Sequence, residues 1–301
     1  MAFERKRNAG INIRSREEKL FDIYLNLVGI VIFLVVAYPI FYVLIASISR
    51  PLYVESGDVM FLAIKPSLAS YREAFRTPYL LTSLGNSLFY TIVGVMVNML
   101  FTTLTAYALS KPRLVGRKFL TLFTVFTMWF SAGIIPLYMT FRDLHLINTR
   151  IAIVLGFAMN TYNMIIMKSF FEQVPTTLEE AAFIDGASDW NIFARIYLPL
   201  SRSALATVSL FYAVNRWNSY FWAMNLLTDD SKIPMQVLLK KLLVDRTKNE
   251  MESAILTAES LSSQTTVIYA LIIIAIIPMA ICYPFVQKCF RSGLTIGASK
   301  E

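Results

Sequence analysis

Runs of apolar residues about twenty long constrain this chain more than any other feature, because a run of that length matches the hydrocarbon core of a bilayer. The clearest occupies 24–46, and others lie at 84–109, 119–141, 151–171, 204–227 and 265–285. A soluble domain of 301 residues has no need of such runs. Composition agrees: 56% of residues are hydrophobic and 16% charged, against roughly 25% charged in soluble domains. Mean hydropathy is +0.56. The runs predict an all-α polytopic membrane protein of about six transmembrane helices, since helices satisfy their own backbone polar groups in lipid. Pro39 and Pro136 are tolerable inside spans where neighbouring helices meet the carbonyls they free. The first run is too long for a signal-peptide core and has no convincing cleavage site, so it reads as an uncleaved span.

Charge sets the orientation. The short loop between the second and third runs carries Lys111, Arg113, Arg117 and Lys118 and no acid, and short basic loops stay cytoplasmic. The expected arrangement is N-in/C-in. Residues 1–23 form a cytoplasmic N-terminal segment, 24–285 a single transmembrane domain, and 286–301 a cytoplasmic tail. Segments 47–82 and 228–263 are external loops, and 172–203 is a cytoplasmic loop. The net charge of +8 does not form a basic groove between aromatics, which argues against nucleic acid as a partner. Cys282 and Cys289 lack metal-type partners and read as small near-membrane thiols. His145 sits in a short polar loop and reads as a solvated or interfacial side chain.

The cytoplasmic loop holds the most informative residues, Thr176-Thr177-Leu178-Glu179-Glu180-Ala181-Ala182-Phe183-Ile184-Asp185-Gly186-Ala187-Ser188-Asp189-Trp190. Thr177 with Glu180 has the spacing of a capping box, which starts a helix. Glu179 and Glu180 then fall in the first turn, where the helix dipole favours acids. Ala181 and Ala182 let another surface approach closely. Gly186 is placed to end the helix in a left-handed conformation. Ser188 or Asp189 can cap a second short helix that presents Trp190, Phe193, Ile196 and Tyr197, and Pro199 marks the entry to the fifth span. Two capped helices with a bend, acidic at one end and smooth in the middle, suit a knob that docks into a partner.

This segment resembles the EAA loop of importer-type ABC transporter permeases. Glu180-Ala181-Ala182-Phe183-Ile184-Asp185-Gly186-Ala187, then Phe193, Ile196, Leu198 and Pro199, follow that pattern nearly throughout. The run Leu109-Ser110-Lys111-Pro112-Arg113, the pair Trp217-Asn218 and the tail Gly293-Leu294-Thr295-Ile296-Gly297-Ala298 look like the carbohydrate-uptake branch. Within that branch they resemble the second permease of the maltose transporter. Tyr283-Pro284-Phe285 followed by Gln287-Lys288 is similar to subgroups serving larger oligosaccharides. The resemblance implies a type I importer permease fold in a bacterial plasma (inner) membrane. It implies that Glu179, Glu180, Ala181, Ala182, Asp185, Gly186 and Ala187 form a coupling helix seated on an ATP-binding subunit. It further implies a second permease subunit as heterodimer partner, an ATPase dimer and an extracytoplasmic sugar-binding protein. The chain has no G-x-x-x-x-G-K-[ST] phosphate loop. It is therefore expected to be non-catalytic and to bind no cofactor, with ATP and Mg on the partner ATPase. The loop alone leaves open a peptide, polyamine or glycerol phosphate as cargo. A self-contained secondary transporter is the remaining alternative, and it lacks the internal repeats such proteins show.

Polar groups inside spans are costly and face cavities or other helices. By that rule Asn160, Asn163, Asn215, Arg216, Trp217, Asn218 and Tyr220 are candidates for the substrate pathway, with Asn86 and Asn98 beside them. Something must face Arg216: water, a carboxylate or an anionic substrate. Trp217, Tyr220 and Trp222 are of the type that stacks on sugar rings, and of the type that packs at interfaces.

Overall fold

A computed structural model describes residues 16–130, 132–249 and 262–298, of which 16–19, 245–249 and 283–298 are described as backbone only. The described residues form helices and connecting turns, without strands. The first span is α1 (Arg16–Ile48). Short helices α2 (Pro51–Glu55) and α3 (Ala69–Arg76) follow, then the second span, α4 (Leu80–Ser110). The third predicted run is divided into α5 (Arg117–Trp129) and α6 (Ile134–Asp143), and the fourth into α7 (Arg150–Leu155) and α8 (Thr161–Glu172). The 172–203 segment gives α9 (Thr176–Ile184), α10 (Asp189–Ile192), a π-turn at Phe193–Tyr197 and α11 (Leu198–Leu200). The fifth run is divided into α12 (Arg202–Asn218) and α13 (Phe221–Leu226); α14 (Met235–Asn249) and α15 (Gln264–Ala298) complete the chain.

The stretches Leu20–Ile48, Leu80–Ser110 and Gln264–Cys282 are long and apolar enough to cross a membrane, and α5 with α6 adds a fourth if that sharply bent pair is one span. The remaining divisions have local causes. Asn160 takes an extended backbone and its side chain accepts the Asn163 N–H, which starts α8 afresh. Ser219 is extended and closes α12. Pro136 falls in the first turn of α6, where its missing N–H would have had no helical partner.

Helix α4 is the axis of the fold. It packs against α8, α12, α14 and α7. One apolar core gathers at its Leu80 end, with Tyr90, Phe141, Leu226, Ile233, Met235 and Leu271. A second gathers at its other end, with Ala106, Leu109, Met164, Phe171, Phe193, Tyr197 and Val208. Between them α4 buries small and polar residues instead: Gly94, Asn98, Thr102 and Thr103. The outer face of α1 exposes Phe33, Val35 and their neighbours, as a lipid-facing helix does.

The segment 228–263 is more than a polar loop. Its helix α14 places Val237, Leu238 and Leu239 in the first core, and Asn86 holds its approach by donating to the Ser231 and Ile233 carbonyls. Arg150 donates to the Asn86 side chain in turn. Asn86 thus ties the 228–263 segment to α4 and α7 rather than facing a pathway. The stretch expected as a tail from 286 is helical as far as Ala298, continuing α15. The expectations for residues 1–15 and for the side chains of Cys289, Tyr283-Pro284-Phe285 and the 293–298 run lie outside the described residues.

Candidate coupling surface and membrane cavity

The helix pair α9–α10 forms where the sequence places it, though its first cap differs. Helix α9 begins at Thr176 with Pro175 as its N-cap, and no side chain caps it. The Pro175 carbonyl accepts the Leu178 N–H, which puts Thr177 inside the first turn, and the Thr177–Glu180 capping box does not form. The C-terminal end is as expected. Gly186 has φ +79°. The Gly186 N–H donates to the Phe183 carbonyl and the Ala187 N–H to the Ala182 carbonyl, the paired bonds of a Schellman cap. Ser188 then caps α10 by accepting the Asn191 N–H.

The pair has two faces. Glu180, Ala181, Asp185 and Gly186 are exposed, while Ala182 and Ala187 are half-buried against the second core. Ile184 (87%) and Trp190 (62%) stand out as exposed apolar side chains. Phe193 and Tyr197, expected on the presented surface, are buried, and Ile196 packs on the same core. The π-turn rotates them inward onto Tyr107 and Phe171.

Glu179 points the other way from Glu180. It accepts from Lys111 Nζ at 2.6 Å and from Tyr197 Oη at 2.7 Å. The side chains of Lys111 and Glu179 are 6% and 14% exposed, and Lys111 Nζ lies over the Tyr197 and Tyr107 rings at 3.6 and 4.3 Å from their centroids. Burial by itself raises the Glu179 carboxyl; the hydrogen bonds from Lys111 and Tyr197, with the Lys111 and Arg113 charges, outweigh it and hold the carboxyl below its ordinary value. Burial brings Lys111 down despite the same carboxylate. Burial, then the bond to Glu179, pushes the Tyr197 hydroxyl up. Around this centre Arg113 pairs with Asp189 and stacks over Phe183, and Arg117 pairs with Glu172. Arg117 Nε also donates to the Leu109 carbonyl at 2.8 Å, completing the end of α4. Sequence reading missed Lys111 and Tyr197 as a unit, because 68 positions separate Lys111 from Glu179.

The proposed pathway residues divide into two groups. Asn160, Asn163, Asn215 and Arg216 line one cavity of about 580 Å³ together with Asn98 and Tyr212. Trp217, Asn218 and Tyr220 line another of about 530 Å³, with Gln236 and Lys240. Helical spacing explains the split: 212, 215, 216 and 219 share one face of the fifth span, and 217 and 218 point elsewhere. Trp222 lines the first cavity and leans on Phe141 and Phe157.

Among the described residues, Arg216 is met by neutral oxygens and by no carboxylate. Its Nε and Nη2 donate to Asn98 Oδ1 at 2.9 and 2.8 Å, its Nη1 to the Ile153 carbonyl, and its Nη2 to the Val154 and Phe157 carbonyls at 3.0 and 2.8 Å. The carbonyl end of α7 and the break after it therefore receive the charge. Tyr212 finishes the wall, its hydroxyl bonded to Thr102 Oγ1 at 2.6 Å and accepting the Asn160 N–H at 3.0 Å. Tyr212 lies four residues before Arg216, a spacing that could have flagged it.

The family described as "Binding-protein-dependent transport system inner membrane component" matches residues 96–295. The chain belongs to that family. As an inner membrane component it is a multi-pass membrane protein and a transport subunit. It is 38% identical to the polygalacturonan/rhamnogalacturonan transport system permease protein YtcP of Bacillus subtilis over 94% of its own length and 99% of the relative's. It is 29% identical to the arabinooligosaccharides transport system permease protein AraQ of Halalkalibacterium halodurans, over 73% and 74% of the two chains. A crystal structure of a bacterial ABC transporter involved in the import of the acidic polysaccharide alginate contains a chain that superposes with a TM-score of 0.82. That chain is 40% identical, with 91% of this inner membrane component and 98% of the neighbour covered.

Proposed function

We infer that this chain is the channel-forming transmembrane subunit of an ATP-driven oligosaccharide importer. One observation carries the reading: a capped helix pair presents Glu180 and Asp185 outward, on a base clamped to the membrane helices by the Lys111–Glu179 pair. A free loop needs neither the caps nor the buried charge pair. The relatives named for polygalacturonan and arabinooligosaccharide transport support sugar as the cargo.

In this reading α9 and α10 seat in a cleft of an ATP-binding subunit, and ATP with Mg belongs to that subunit. Glu180 and Asp185 meet basic groups there, Gly186 makes the bend, Ala181 allows close approach, and Ile184 and Trp190 fill the apolar part of the cleft. Ala182, Ala187 and Glu179 fasten the knob to its own chain. A second permease completes the channel, and an extracytoplasmic binding protein delivers the sugar. Six crossings with both termini inside place 172–203 on the ATPase side.

Purification of the tagged chain from its native membrane tests the reading. The wild type should bring an ATPase and a second permease. Glu180→Arg should lose the ATPase and keep the permease. A wild-type chain that comes out alone, under conditions where known importers stay assembled, overturns the reading in favour of a self-contained transporter.

A further inference from the structure

Arg216 brings a full charge to the wall of an interior cavity, and no carboxylate answers it. The residue is 9% exposed, and its acceptors are the Asn98 amide oxygen and the carbonyls of Ile153, Val154 and Phe157. Neutral oxygens solvate a cation without cancelling its charge. The rest of the lining is amide, hydroxyl and aromatic with Ile153, Met159, Ala223 and Pro234 between, and among the described residues no Asp or Glu belongs to it. A charge at mid-span costs about 2.5–3.5 kcal/mol even on insertion scales, and such residues mark ion and substrate paths. The fold also makes room for it: a Cβ at Gly94 would lie 2.9 Å from Arg216 Nε.

We propose that this cavity is a transit site for sugars bearing a carboxylate, with Arg216 as the residue that selects for the negative charge. The proposal rests on the importer reading above. The site holds one cation, which matches a singly charged uronate better than a phosphate carrying nearly two charges. The side chains of Asn160, Asn163 and Asn215 can exchange hydrogen bonds with ring hydroxyls, and Trp222 offers a face to the sugar ring. Every guanidinium nitrogen is already engaged with the protein, so Arg216 attracts the carboxylate through its field and does not grip it as a free bidentate fork would. Transport requires that balance, since a site on a pathway must bind well enough to admit cargo and weakly enough to release it.

The test changes the charge of the cavity and leaves the bonds of Arg216 in place. Asn215 lines the cavity, is exposed to it, and carries its amide on the same face. Asn215→Asp puts a negative charge there, while Asn215→Ser removes the amide without adding charge. Uptake of labelled trigalacturonate and of its methyl ester is measured in cells holding the complete importer at equal membrane levels. Trigalacturonate uptake is expected to fall on the order of tenfold further in Asn215→Asp than in Asn215→Ser, a difference worth about 1.4 kcal/mol. Uptake of the ester, if the wild type imports it, should fall equally in the two variants. Equal loss of trigalacturonate uptake in both variants overturns the proposal and leaves the importer reading standing. Wild-type uptake of the ester alone does the same. A wild type that imports neither probe, nor any neutral oligosaccharide, removes the importer reading with the proposal.

Discussion

Among the described residues two cations, Lys111 and Arg216, are buried, and they are treated in opposite ways. Lys111, just past the Ser110 end of α4, meets the Glu179 carboxylate and two aromatic rings. Arg216, beside the polar midsection of the same helix, meets only an amide oxygen and backbone carbonyls. The first arrangement is electrically closed and joins two elements into one body. The second is open, its cation held firmly in place while its charge remains uncancelled. A closed pair suits a joint that must carry force, and an open one suits a site that must attract something from outside. The two are found where the tasks proposed above differ, at the base of α9 and in the wall of the cavity.

Breaking the closed pair should give the largest effect. Glu179→Lys sets two cations against each other in a buried site, and breaking such a pair costs on the order of 3–5 kcal/mol. Limited proteolysis should then cut within 172–203 faster than in the wild type, and uptake should be lost. The exchange Lys111→Glu with Glu179→Lys should recover part of both; no recovery would mean that the aromatic cage, not the charge pair, holds the joint. A smaller effect is expected at the open cation. Gly94→Ala crowds Arg216 Nε and should lower thermal stability by about 1–3 kcal/mol, the usual range for overpacking. Gly94→Ala combined with Arg216→Gln should relieve the crowding, so that the two losses are less than additive in a double-mutant cycle. The smallest effect belongs to the rim. Arg113 and Asp189 are both substantially exposed, and exposed pairs are worth about 0–1 kcal/mol. Asp189→Asn should therefore leave proteolysis of the loop nearly unchanged, and a large change would show that the joint is wider than Lys111 and Glu179.

Helices α9 and α10 were legible because their signals are local. Gly186 and Ser188 each act within a few residues, and both caps form as their chemistry requires. The Thr177–Glu180 box was misleading because the helix already starts from Pro175, ahead of Thr177. Hydropathy found all the apolar runs but averaged over Asn160 and Ser219, and so hid the breaks that shape the cavity. The split of 215 and 216 from 217 and 218 needed the helical phase, which a catalogue of polar residues ignores. Arg216 was recognisable as costly, yet its acceptors are backbone carbonyls, and no pattern of side chains announces those. Lys111 looked like one more positive charge in a basic loop until folding brought Glu179 to it.

Helix α8 connects the two regions. Its first turn is capped by Asn160 at the cavity wall, and its last residue, Glu172, is paired with Arg117 just before the coupling helices. Only Gln173, Val174 and Pro175 separate it from α9. Twelve residues make a rod of about 18 Å at 1.5 Å per residue, so a tilt of about 10° at one end displaces the other by about 3 Å. Arg216 anchors the carbonyls of α7 on the far side of the break, and Asn160 stands at the break itself. In the importer reading proposed above, force applied to α9 and α10 is passed along this rod to the amides of the cavity wall.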